Sequence, residues 1–201
     1  MDDDVFREHI QDAVLSSLHD AQELLINGST LSRINTWHVS DFVSPCLRKS
    51  YYSHSRKLPQ VLDDKKRRIL FHGLIVHEHT QLAKFHEITM CYDIMNDVAI
   101  QPEIVMKMDE SETKNIITGT CDDLMKIDGK FVLVDKKTWS ARGYVKTTPN
   151  EEYVKQLNIY RVLLNASYGI DPEWGCLMFL DKSDDLGELA MEFPLAPINE
   201  T

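Results

Sequence analysis

Three residues in one stretch of this chain have the types and spacing for chemistry: Asp122, Asp135 and Lys137, within residues 115–138. Between two strand-like runs stands Asp128-Gly129, a pair that favours the type I′ turn of a two-residue β-hairpin. If Ile127 and Lys130 close that hairpin, counting back along both strands sets Asp122 opposite Asp135. Directly opposed side chains have Cβ atoms about 5 Å apart, and two negative charges there repel unless a cation sits between them. Lys137, two residues past Asp135, shares its face because strand side chains alternate. Two carboxylates can hold Mg2+ or Mn2+ through hard oxygen ligands. The metal then activates a water and polarises a phosphodiester, and a lysine orients that water and offsets developing negative charge.

An ordinary solvent-facing hairpin is the competing reading, and the apolar residues Leu124, Phe131 and Leu133 on the same face oppose it. A carboxylate pair beside apolar surface is costlier without a cation. The other face, with Met125, Ile127, Val132 and Val134, is apolar too, as in a central hairpin covered on both sides. Alternation turns Asp123 to that other face, which leaves Asp122 as the acid of interest.

The elements that must position this hairpin follow from periodicity. Apolar residues at spacings of three and four predict a helix over 4–27, ended by Gly28. A short helix follows Ser40, a good N-cap. Near its end Arg48, Lys49, Arg56 and Lys57 interleave with Tyr51 and Tyr52, residues suited either to a phosphate backbone and a stacked base or to a solvated helix end. A second long helix is expected over 63–86, carrying His72, His77, His79 and His86 near Gly73. No H-E-x-x-H is present and the four histidines do not share a face, although Gly73 and His77 do. Glycine there would let the helix lie close to a sheet with His77 pointing at it.

Strands are predicted over 88–92 and 98–107, the second an edge strand or bulge because of Pro102, with Glu103 as a further candidate acid. After the hairpin, Trp139, Arg142 and Lys146 lie in a loop able to touch substrate. Pro149 opens a helix over 150–168 that places Gln156 and Tyr160 one turn apart and ends at Gly169. Strands over 174–180 and 186–193 close the chain. The order predicts an α/β fold with a mixed central sheet, in a single domain over 1–201 with an N-terminal helical portion to about residue 86.

Composition narrows the classes. At 201 residues and 43% hydrophobic content the chain can bury a core without disulfides. No apolar run reaches membrane-spanning length, and the acidic start is unlike a targeting peptide, so a soluble cytoplasmic protein is expected with no membrane partner. Cys46, Cys91, Cys121 and Cys176 form no C-x-x-C pair. The net charge of -10 repels polyanions, so contact with DNA must come from local basic patches, a bound cation or a protein partner.

An ordered set of motifs, Gly73-x-x-x-His77-Glu78, Gly119-x-x-Asp122, Asp135-Lys136-Lys137 and Gln156-x-x-x-Tyr160, resembles the PD-(D/E)XK nucleases. Within them it is similar to the RecB-like branch that includes the CRISPR-associated adaptation nucleases, and the resemblance covers about residues 40–180. The segment Ser40-Asp-Phe-x-x-x-Cys46-x-Arg48-Lys49-x-Tyr51 resembles the start of this branch. The resemblance implies a restriction-endonuclease-like core, a mixed central β-sheet flanked by helices. It implies that His77, Asp122, Asp135 and the backbone carbonyl of Lys136 ligate the metal, that Lys137 is catalytic, and that Gln156 and Tyr160 assist at the site or contact DNA. Many relatives hold an iron-sulfur cluster with one N-terminal and three C-terminal cysteines. Here only Cys176 lies in the last quarter, so no cluster is expected and the C-terminal region must be held by packing. The leading expectation is a Mg2+- or Mn2+-dependent DNA nuclease acting on single strands or duplex ends. The alternatives are a non-catalytic or partner-dependent nucleic-acid-binding subunit on the same fold, and a zinc protein built on the histidines.

Overall fold

A computed structural model of the chain describes residues 36–56, 64–79, 85–127, 129–139, 148–181 and 188–198. The helix expected over 4–27, Lys57, Arg142 and Lys146 lie outside the described residues, as do the side chains of Arg56, His77, His79, His86 and Trp139. The chain divides into two compact units, residues 1–33 with 60–79, and residues 34–59 with 80–201. In the first, helix α3 (Asp64–His79) stops short of the predicted end, because residues from Phe85 onward belong to a strand. A Cβ on Gly73 would meet nothing within 4 Å among the described residues.

The second unit is built on a mixed seven-stranded sheet. Its strands are β1 (Trp37–His38), β2 (Phe85–Asp93), β3 (Val98–Ile100), β4 (Ile116–Ile127), β5 (Lys130–Trp139), β6 (Trp174–Asp181) and β7 (Glu188–Pro194). They run in the order β3-β2-β4-β5-β6-β7, with β1 added on β4. β5 and β6 are parallel, as are β1 and β4, and the other pairs are antiparallel. The predicted hairpin register holds, from Ile127↔Lys130 to Asp123↔Val134, and Gly129 takes the positive φ of 84° that the tight turn requires.

Short helices α1 (Val39–Val43) and α2 (Leu47–Arg56) follow β1. The N-cap of α1 is His38 rather than Ser40: the His38 imidazole accepts from the Ser40 N–H while the Asp41 carboxylate accepts from the His38 N–H. α4 (Pro102–Val105) cuts the strand expected over 98–107 down to β3 (Val98–Ile100), and α5 (Glu110–Thr113) follows it. Pro102 sits at the start of a helix, where its missing N–H is harmless. Glu103 therefore leaves the sheet, and its charge acts on Cys91 and Tyr168 rather than on the hairpin.

Helix α6 (Glu151–Tyr168) packs on the sheet with Leu157, Tyr160, Leu163 and Leu164 buried. Asn150 caps its start by accepting from the Glu152 N–H, and Gly169 ends it at a φ of 65°. The core joins this stripe to Val39, Met90, Cys121, Leu124, Leu133, Leu177 and Phe179. The C-terminal segment is held by polar contacts from α6. Buried Arg161 donates to the Leu195 and Ala196 carbonyls at 3.1 and 2.7 Å and pairs with Asp171 at 2.6 Å, while Asn158 accepts from the Ala196 N–H. No helix among the described residues is long and apolar enough to cross a membrane.

Candidate active site

The candidate site lies where β4 parts from β5. One edge of β4 pairs with β5 over residues 123–127 and with β1 at residues 117–118. Asp122 lies between these two stretches. One step beyond Asp123↔Val134 the main-chain ladder gives way to a side chain: the Lys136 N–H donates to the Asp122 carboxylate at 2.6 Å. The ladder to β2 also skips Asp122, pairing Cys121 with Ile88 and Asp123 with His86. The residue it passes over on β2 is Glu87, whose φ is 49°, a left-handed conformation that costs a non-glycine residue about 1–3 kcal/mol.

Side-chain alternation is broken at the same place. A Cβ on Gly119 would point at the Tyr160 ring of α6, 2.8 Å away. Strict alternation from there would turn Asp123 toward α6 as well. Instead Asp123 meets the Lys136 ammonium at 3.0 Å, while Lys137, the next residue on β5, holds its ammonium 4.8 Å from the centre of the Tyr153 ring of α6. Such a bulge-like break re-aims side chains beside a functional site. It gives the consecutive aspartates of β4 different partners.

On the α6 side, Lys137 Nζ lies 2.7 Å from Asp135 Oδ2, with the lysine side chain 22% exposed and the aspartate 5%. Asp135 and Lys137 are in register with Leu177 and Phe179 of β6, and Phe179 packs on Tyr153. Gln156 donates to the Tyr160 hydroxyl at 2.8 Å. Burial pushes the Tyr160 phenol well above the ordinary tyrosine range; Gln156 opposes the shift, and the charges of Asp135 and Asp122 add to it. Both carboxylates therefore lie within electrostatic reach of Tyr160, and the phenol stays protonated. Gly119 and Tyr160 come from separate sequence motifs, and they meet here because glycine leaves room for the ring and for Val39.

On the far side, Lys136 and Asp123 form a closed ion pair, their side chains 2% and 0% exposed. Burial holds the neighbouring Cys121 thiol up at about 12, the Asp122 charge adding to the effect.

The structure thus brings together Asp122, Asp135, Lys136, Lys137, Gln156 and Tyr160. Arg48, Lys49 and Tyr51 are exposed on α2, with the Arg48 guanidinium 5.9 Å from the Tyr52 ring centre. Sequence reasoning missed Tyr153, which lies on the helix stripe of Gln156 and Tyr160 at spacings of three and seven, and Asp123 as the partner of Lys136. Among the described residues no three His, Cys, Asp or Glu side chains form a metal cluster. The carboxylates of Asp122 and Asp135 are hard oxygen donors that could hold divalent cations such as Mg2+. These ions keep several waters and take one or two protein carboxylates plus substrate phosphate rather than an all-protein cage.

No family model matches the chain, and no curated protein is a significant match to it. Among solved structures, that of SSO0001 is similar at 20% identity and a TM-score of 0.49, over 95% of this chain and 81% of that one. An alkaline exonuclease, LHK-Exo from Laribacter hongkongensis, is similar at 14% identity and a TM-score of 0.44, over 82% of this chain and 80% of that one. Its complex with dAMP gives a TM-score of 0.46 at the same identity and coverage.

Proposed function

We propose that the chain is a Mg2+- or Mn2+-dependent deoxyribonuclease, a PD-(D/E)XK phosphodiester hydrolase of the RecB-like branch that acts on single-stranded DNA or duplex ends. The observation that supports it most is the half-open Asp135–Lys137 pair, 2.7 Å apart, beside the Asp122 carboxylate at the point where β4 and β5 part. Asp122 and Asp135, with the Lys136 carbonyl, would hold the ion. When bound, it supplies Lewis acidity at the phosphate and a more acidic water.

The chain's own groups do the rest. Lys137, steadied between Asp135 and the Tyr153 ring, orients the attacking water and offsets charge on the phosphoryl oxygens. Tyr160, kept neutral by burial, presents an O–H near the carboxylates, and the Gln156 amide fixes its direction. Arg48, Lys49 and Tyr51, together with Trp139, Arg142 and Lys146, contact the DNA backbone and bases. Incubating labelled DNA with the protein and Mn2+ tests this, and equal cleavage by wild type, Asp122→Ala and Asp135→Ala would overturn it. The net charge of -10 favours a second reading, a partner-dependent nucleic-acid-binding subunit. That reading predicts turnover only after a co-purifying partner is added back.

A further inference from the structure

Building on that reading of the site, we infer that Lys136 and Asp123 are positioning residues for Asp122: the closed ion pair on one face of the sheet sets the metal affinity of the other. Lys136 holds both consecutive aspartates of β4. Its main-chain N–H takes the Asp122 carboxylate at 2.6 Å, and its side-chain ammonium takes the Asp123 carboxylate at 3.0 Å.

The location makes this more than a stabilising contact. Main-chain pairing between β4 and β5 runs to Asp123↔Val134, and the Lys136 N–H meets the Asp122 carboxylate one step beyond it. Beyond that point β4 has lost its alternation, and Glu87 opposite Asp122 sits in a left-handed conformation. The Asp123–Lys136 pair clamps the two strands immediately behind the place where they separate. An enclosed ion pair holds the Lys136 residue in place, and that residue carries both the N–H that aims the Asp122 carboxylate and the carbonyl proposed as a ligand. Apolar side chains of the same size would fill the space without fixing the peptide's direction. Groups that orient a ligand from behind commonly change metal affinity by about 10–100-fold when removed.

The test is a Mn2+ titration followed by electron paramagnetic resonance in the absence of DNA, with thermal melting of each protein in parallel. The decisive variant is Asp123→Leu/Lys136→Met, which removes the pair without leaving a lone buried charge and is expected to melt near wild type. Its Mn2+ affinity is expected to be at least about 10-fold weaker. An affinity equal to that of wild type overturns the positioning role and leaves the nuclease reading intact. Wild type binding Mn2+ no better than Asp135→Asn removes the metal site itself and this inference with it. If the double variant does not fold, Asp123→Asn carries the same comparison. A loss of about 10-fold in Mn2+ affinity with unchanged secondary structure then supports the inference, and wild-type affinity overturns it.

Discussion

Two aspartate–lysine pairs sit on opposite sides of β5, their lysines adjacent in sequence. Asp123 with Lys136 is sealed, and Asp135 with Lys137 is open on the lysine side. Their contact distances differ by 0.3 Å, 3.0 against 2.7 Å, so distance does not separate the sealed pair from the open one. Access and company do. The sealed pair is 2% and 0% exposed, whereas the open pair faces an aromatic ring, a neutral phenol and a second carboxylate on β4.

The largest effect that would break this contrast is on catalysis. Asp135→Asn is expected to lose DNA cleavage in Mn2+ on the order of 10³-fold or more, with its melting curve little changed. Next is stability, read by urea unfolding. Lys136→Met strands the Asp123 carboxylate in the interior and is expected to cost about 3–5 kcal/mol, whereas Lys137→Met leaves Asp135, itself 5% exposed, with an opening on the lysine side and is expected to cost less. Equal losses would mean that the two sides are not different in kind. Smaller still, Gly119→Ala drives a methyl group into the Tyr160 ring and Val39, expected at about 1–3 kcal/mol.

The smallest effect concerns pH. Tyr160 has a folded-state pKa above its ordinary value of 10.0, from burial first and the two aspartate charges after the opposing Gln156 bond. A raised pKa means that the unfolded chain gives up the proton first. The stability is therefore full below pH about 10 and falls as pH rises through the folded value. Tyr160→Phe is expected to flatten that alkaline decline in a series of melts.

Much of this arrangement was legible from local signals. The Asp128-Gly129 turn fixed the hairpin register, and Asn150 and Gly169 marked the ends of α6, because each acts within a few residues. Pro102 was ambiguous, since a proline suits an edge strand and a helix start equally well. The sealed pair was readable in principle: the alternation that sends Asp123 away from Asp135 sends Lys136 to the same side. Arg161 was readable too, as a charge four residues from Leu157 on an apolar helix face, a position that demands partners. The break in β4 was not. It depends on the backbone of Glu87 in another strand, 35 residues distant by number from Asp122, and no pattern within the hairpin announces it. Of the motif glycines, Gly119 is required by packing against Tyr160 and Val39.

The central claim is that chemistry belongs to the open side of β5, with Lys137 as its acting cation. The most direct test is the single-turnover cleavage rate of labelled single-stranded DNA by Lys137→Met at saturating Mn2+, with melting measured on the same sample. A fall on the order of 10²-fold or more at a wild-type melting temperature is the predicted result. A rate within about twofold of wild type would contradict it.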